Sequence, residues 1–200
     1  MFAMLTSDLR TAKRVMTQPY AFFHGDVARM GVTEALRYYM MLSLILAILT
    51  PMINIAGFPS DVIHASTNAQ MAAFKYSPLL EQQLAVSRHL WTGALTLLMM
   101  LAKLPFFIAF YHVFALILGG RGNLLASLKL AVYPATPAML FGWVPYSDFI
   151  FGLWVAFFLV PAFRYLHNVT WGKSIAFVTI MIGLQILYVV LTGGGWLIEP

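Results

Sequence analysis

The stretch His112–Leu140, HVFALILGGRGNLLASLKLAVYPATPAML, constrains this chain more than any other. It joins one apolar run to the next through a short Gly-rich turn holding Arg121, with Lys129 just beyond and Pro134 and Pro137 inside the second run. In water such a segment exposes apolar surface on both sides of the turn. In a bilayer it reads as a helix leaving the membrane, a basic loop on one face, and a proline-interrupted helix going back. The rest of the chain repeats the pattern. Of its 200 residues, 61% are hydrophobic and only 10% are charged, whereas soluble domains carry roughly 25%. With roughly 20 apolar residues needed per helical span, the fold class is an all-α polytopic membrane helix bundle with no room for a separate soluble domain.

Taken in order, residues 1–35 form an arm on the inner face. Phe2, Leu5, Leu9, Ala12 and Met16 are spaced by three and four, with Arg10, Lys13 and Arg14 largely off that stripe. This spacing predicts a basic amphipathic helix that lies on the membrane surface, packs on its own protein, or does both. Pro19 ends it, and Tyr20, Phe22 and Phe23 anchor the chain at the interface. The N-terminal residues lack the apolar core of a secretory signal peptide, so the first span is expected to direct its own insertion.

A single five-helix transmembrane unit is expected over residues 36–191, with spans at about 36–55, 91–118, 128–144, 149–166 and 174–191, followed by an outer tail at 192–200. Pro51 sits near the end of span one, and the outer loop 56–77 is expected to hold a short helix over the bundle. Ser77-Pro78 suits the start of a helix running unbroken through Trp91 to Leu118, kinked at Pro105. Lys and Arg set the orientation. Arg10, Lys13, Arg14, Arg29 and Arg37 precede span one, Arg121 and Lys129 flank the second inner loop, and Arg164 and Lys173 flank the third. The turn between spans three and four and the tail carry neither residue; only Lys75 and Arg88 dissent, offset in part by Asp61 and Glu81. The N-terminus is therefore expected inside and the C-terminus outside. Arg10, Lys13, Arg14, Arg121, Lys129, Arg164 and Lys173 are the expected lipid headgroup contacts, Lys129 by snorkelling.

Few residues point to chemistry. Lys103 stands in mid-span, where an ionisable group costs about 2.5–3.5 kcal/mol on insertion scales and is a functional candidate by default. No acidic residue lies within any expected span, which argues against a proton or ion relay, and a snorkelling lysine or one bonding carbonyls freed by Pro105 is the plainer reading. His112, among Phe106, Phe107, Phe110, Tyr111 and Phe114, could ligate haem or a metal. It has no second His at helical spacing, and His24, His64, His89 and His167 are scattered along the chain, so no metal or cofactor is expected. Tyr133-Pro134 and Pro137 are read as kinks mended by Thr136 rather than as a substrate-binding break. Gly119-Gly120-Arg121-Gly122 lacks the GxxxxGK[ST] phosphate-loop pattern and is read as a helix C-cap turn with Arg121 near lipid phosphates. Cysteine is absent, which excludes disulfides and thiolate chemistry. The net charge of +5 is accounted for by topological anchoring, so no nucleic acid is expected as a partner. Neither is a small-molecule substrate.

The order of these features resembles the Yip1-domain membrane family in its bacterial or archaeal branch, across about residues 17–191. The likeness rests on Pro19 to Phe23 (Pro-x-x-Phe-Phe), a long second span ending in Gly119-Gly120, a small-residue basic loop, and Ala131, Tyr133 and Pro137 (Ala-x-Tyr-x-x-x-Pro). Leu153-Trp154 in span four and a last span led by Lys173 complete it. Eukaryotic members have five spans and associate with Rab GTPases and with one another in membrane traffic. Their Asp-Leu-Tyr-Gly-Pro motif is missing here, and the arm is much shorter than theirs. What the resemblance implies is the topology and a tendency to self-associate or to join other integral membrane proteins. The expected function is a non-enzymatic scaffold, assembly factor or accessory subunit in a bacterial cytoplasmic membrane. The alternatives are a small transporter or channel lined by Lys103 and the broken third span, and a cofactor-binding subunit using His112. Gly142, Gly152 and Gly183 are expected to permit close helix contacts.

Overall fold

The computed structural model describes residues 2–55, 85–144 and 148–191, all of them helix or short connection, with no strand among the described residues. The outer loop 56–77, the Ser77-Pro78 start and the tail 192–200 lie outside the described residues. The arm is α1 (Phe2–Thr17), a short α2 (Pro19–Ala21), a π-helical turn (Phe22–Asp26) and α3 (Val27–Arg29). The bundle follows as α4 (Val32–Ile55), α5 (Ala85–Ile117), α6 (Leu124–Val132), α7 (Thr136–Phe141), α8 (Asp148–His167) and α9 (Trp171–Leu191).

Local chemistry sets the helix ends. Met30 is extended, and the Glu34 carboxylate accepts the Gly31 N–H at 2.8 Å, half of a capping box that starts α4. At the end of α5, Gly119 takes a φ of +80°, Gly119 N–H donates to Leu116 O at 2.9 Å, and Gly120 N–H donates to Ala115 O at 2.7 Å. That pair of bonds is a Schellman motif, which needs a residue free to adopt the left-handed region. Asn123 then caps α6, its side-chain oxygen accepting the Ala126 N–H at 3.0 Å.

Four helical segments are long and apolar enough to cross a membrane: Val32–Ile53, Trp91–Ile117, Leu124–Phe141 and Ile150–His167. The expected fifth span falls on α9, whose Trp171–Leu184 part is apolar but shorter than these. Two expectations shift in detail. The third span begins at Leu124, four residues before the apolar stretch was expected to start, because Asn123 supplies the cap. It is also two helices rather than one kinked helix: Pro134 has no N–H to give, the chain turns over Tyr133–Ala135, and α7 restarts with Pro137 in its first turn. By contrast α5 runs through Pro105 as one helix of 33 residues, about 50 Å long at 1.5 Å per residue.

α4 lies along α5, and α8 packs on α9, while the broken pair α6–α7 fills the centre against α4, α5 and α8. Gly93 of α5 permits the closest of these approaches. A Cβ there would sit 2.6 Å from the Ala47 carbonyl of α4, which is the carbonyl that Pro51 deprives of its helical partner. Gly183 does not serve a helix contact among the described residues, having nothing within 4 Å of where a Cβ would be. The buried centre is aromatic: Phe22, Phe23, Tyr38, Tyr133, Phe158 and Phe163 are all at most 1% exposed.

Candidate functional site

Two polar clusters lie inside this bundle, and the broken third span contributes to both. In the first, the arm is clasped onto α4, α6 and α7. Phe22 meets the Tyr133 ring edge-on at 5.1 Å, and Tyr38 lies on the other side of Tyr133 at 5.2 Å. The Tyr38 hydroxyl bonds to Thr136 Oγ1 at 2.9 Å, and Thr136 Oγ1 donates to the Tyr133 carbonyl at 2.6 Å. The hydroxyl thus covers a carbonyl at the break, the mending role expected of Thr136. Lys129 donates from Nζ to the Val27 carbonyl at 2.8 Å, closing the end of α3. On the other flank Asp8 accepts both Arg37 Nε and Nη2, at 3.1 and 2.8 Å, a bidentate pair that ties α1 to α4.

Only part of the α1 stripe docks on the protein, Ala12 and Met16. Asp8, Ala12 and Val15 go inward, whereas Leu5 and Leu9 remain 44% and 46% exposed. α1 therefore packs on its own protein and still presents an apolar edge beside Arg10 and Lys13, both exposed.

The second cluster is a hydrogen-bonded row at the closed end of α5. His112 Nδ1 lies 2.9 Å from Ser127 Oγ, and Ser127 Oγ lies 3.2 Å from His167 Nε2. One hydroxyl carries one proton, which goes to one of the imidazoles or to the Asn123 carbonyl, 3.4 Å away. His167 is wholly buried, and its Nδ1 faces Gly122 with no hydrogen-bond partner. An orphaned N–H there costs more than an orphaned lone pair against a C–H, so the favoured arrangement has His167 Nε2–H donating to Ser127 Oγ, which leaves the Ser127 proton for His112 Nδ1 or the Asn123 carbonyl. The turn above is bound to the same residue: Arg121 N–H donates to the His167 carbonyl at 2.8 Å. Lys173 Nζ donates to Leu118 O at 2.8 Å, a cation on the closing carbonyls of α5.

These clusters have little capacity for reaction. Ser127 is fully buried with its hydroxyl committed, so no substrate carbonyl can approach it. No group of three or more His, Asp or Glu that could hold a metal ion exists among the described residues. His112 is engaged with Ser127 rather than offered to a ligand. Lys103 and Pro105 stand apart from both clusters, on the outward side of α5, and Lys103 has no hydrogen-bond or ion-pair partner among the described residues. Of the expected headgroup contacts, Arg10, Lys13, Arg14, Arg121 and Lys173 are exposed and Arg164 is half-buried. Arg14 also pairs with Asp26 at 2.6 Å. Lys129 departs from the headgroup expectation: it is buried, and its stem reaches inward to the arm instead of outward to lipid.

The Yip1 domain family matches residues 13–193. The chain belongs to that family. No curated protein matches, and no solved structure does. The Yip1 match covers both clusters apart from Asp8, and every described helix except residues 2–12 of α1. Within it, residues that carried the likeness, far apart in the chain, are in contact: Phe22 of the Pro-x-x-Phe-Phe segment lies against Tyr133 of the Ala-x-Tyr-x-x-x-Pro segment.

The pairing of His112 with His167 was missed, because the two are 55 positions apart and no local spacing joins them. A topological signal was present. Both lie at the ends of spans that border basic loops assigned to one membrane face, which places them at one level. The role of Ser127 had no comparable signal, since a serine near a helix start reads as ordinary capping.

Proposed function

We propose that this Yip1-family protein is a non-enzymatic scaffold, assembly factor or accessory subunit of a larger membrane complex. In this reading it crosses a cytoplasmic membrane five times, with the N-terminus inside and α9 as the fifth span. The carrying observation is the disposition of the polar groups. Those of the two clusters hold the arm and the third span in place, while Lys103, a mid-span cation without a partner among the described residues, faces out of the bundle. A transporter needs the opposite arrangement, with its charge lining an internal path. α1 supports a peripheral lipid contact, its Leu5–Leu9 edge entering the interface and Arg10 and Lys13 meeting anionic headgroups.

The test is gentle-detergent extraction from native membranes followed by native mass analysis. The expected result is a stoichiometric complex with another integral membrane protein. Recovery of the chain alone, or only with copies of itself and lipid, refutes the accessory role.

A further inference from the structure

Of the four segments long enough to cross, α5 is the least covered: only 17% of its most apolar 18-residue window is buried, against 61% for the broken third span. One stripe of its exposed residues at helical spacing runs through Lys103, Phe106, Phe107, Val113 and Ile117. In a bilayer an exposed apolar stripe is ordinarily covered by lipid. Lys103 is what lipid does not explain. It lies within one residue of the midpoint of Trp91–Ile117 and is exposed on the same side. Trp91–Ile117 is about 40 Å long at 1.5 Å per residue, longer than a hydrocarbon core of about 30 Å. With Ile117 at the inner boundary, Lys103 lies about 21 Å in and about 9 Å from the outer boundary, further than a four-methylene stem extends. One residue pair on, Pro105 withdraws the N–H that would otherwise pair with the Leu101 carbonyl, and Leu101 and Pro105 are both exposed.

We propose that this face of α5 seats a transmembrane helix of a different protein carrying an Asp or Glu at the depth of Lys103, the two forming an intramembrane ion pair. The inference rests on the accessory-subunit reading and gives the partner a chemistry. A second copy of this chain does not satisfy the requirement. Its acidic residues are Asp8, Asp26, Glu34, Asp61, Glu81, Asp148 and Glu199, none of them within an expected span. A two-fold contact through this face would also bring Lys103 towards Lys103. Charged residues within spans pair with one another or face a cavity, and here Lys103 has no mate among the described residues. The apolar stripe supplies close packing along the helix, and the ion pair sets the partner's depth and identity.

The experiment uses dicyclohexylcarbodiimide, a membrane-permeant carboxyl activator, on native membranes containing the full chain. It converts a carboxyl within hydrocarbon to an O-acylisourea. The unprotonated Lys103 amine attacks the acyl carbon, a new amide forms, and dicyclohexylurea leaves with the displaced oxygen. The expected product is a zero-length cross-link from Lys103 to an Asp or Glu in an apolar segment of a second protein, identified by peptide mass analysis and lost in Lys103→Gln. Lys103→Glu should lower recovery of that protein at least tenfold in gentle-detergent extracts, and Lys103→Arg should retain most of it. Folding is controlled by requiring unchanged thermal unfolding of each variant. Absence of a Lys103 adduct, an adduct to Glu34 or Asp148 of another copy, or an adduct to lipid each overturns the proposal. If Lys103→Glu leaves a native complex intact, this face is wrong while the accessory role stands. If no complex exists in any variant, the accessory role itself fails.

Discussion

Gly122→Ala tests the row beneath the turn most directly. An added methyl would meet the His167 ring at Nδ1 and lie only 2.8 Å from both Cγ and Cε1. Carbon atoms settle at about 3.5–4.0 Å, so the ring must retreat by about 0.7 Å or more. A retreat directed along its Ser127 contact would lengthen that 3.2 Å bond past hydrogen-bond range. Backbone strain is no part of this cost, because Gly122, unlike Gly119, has no positive φ. Overpacking contributes about 1–3 kcal/mol, and a buried polar pair left unmade about 1–3 kcal/mol more. At about 2–4 °C per kcal/mol for a chain of this size, the melting temperature should fall by at least about 4 °C. The assay is intrinsic tryptophan fluorescence on heating in a mild detergent, with Gly183→Ala as a control that meets nothing within 4 Å. The decisive arm is the double variant. In a His167→Ala background the ring is gone, so Gly122→Ala should add no more than about 0.5 kcal/mol, a marked departure from additivity. The same fall in both backgrounds, or no fall in either, refutes the argument that Gly122 is small to admit His167.

Three further outcomes are expected. Asp8→Asn removes the carboxylate from a bidentate pair whose charged hydrogen bonds are worth about 1.5–3 kcal/mol. Tryptic cleavage of the arm at Arg10 and Lys13 should then rise about ten- to hundredfold in the opening-equilibrium regime, and an unchanged rate would show that the pair does not hold α1. Tyr38→Phe deletes one bond to Thr136 but leaves Thr136 on the Tyr133 carbonyl. It should therefore cost only about 0.5–1.5 kcal/mol in the same thermal assay; a loss above about 3 kcal/mol would mean the hydroxyl does more than close this bond. Because the chain has no cysteine, single cysteines report topology cleanly. Trp196→Cys should react with an impermeant maleimide in intact cells and Ser7→Cys only after lysis, and both reacting on one side would exclude an odd number of spans.

The fold was legible in the sequence to the extent that the bilayer simplifies it. Apolar run length sets where helices can lie, and Lys and Arg set which loops share a face. The Gly119-Gly120 turn was readable because a Schellman motif depends on local residue type. The break at Tyr133-Pro134 was visible as a proline but not as two helices. Whether a proline kinks or splits a span depends on what receives the freed groups, here the Thr136 hydroxyl, itself held by Tyr38 from a helix 98 residues away. Lys129 misled for a related reason: a lysine near a span end snorkels in most settings, and nothing nearby in the chain reveals that the Val27 carbonyl waits for it. The α1 stripe was judged by apolar spacing alone, but docking was decided by Asp8, a charged residue whose partner Arg37 outweighs the exposure of Leu5 and Leu9.

The clasp of the arm also carries an order of events. Val27 and Lys129 are separated by 102 residues in the chain, so when the arm leaves the ribosome the residues that will hold it have not been made. At about 5–20 residues per second, the interval is about 5–20 s. Throughout it Phe22 and Phe23 lack their final neighbours from the third span, and the Val27 carbonyl lacks its ammonium. Seating of the arm is therefore a late step in biogenesis, and it reports that the third span has been inserted and bent. A truncated chain ending before Lys129 leaves the arm loose on the inner side, where it is open to the proteases that remove unfinished membrane proteins.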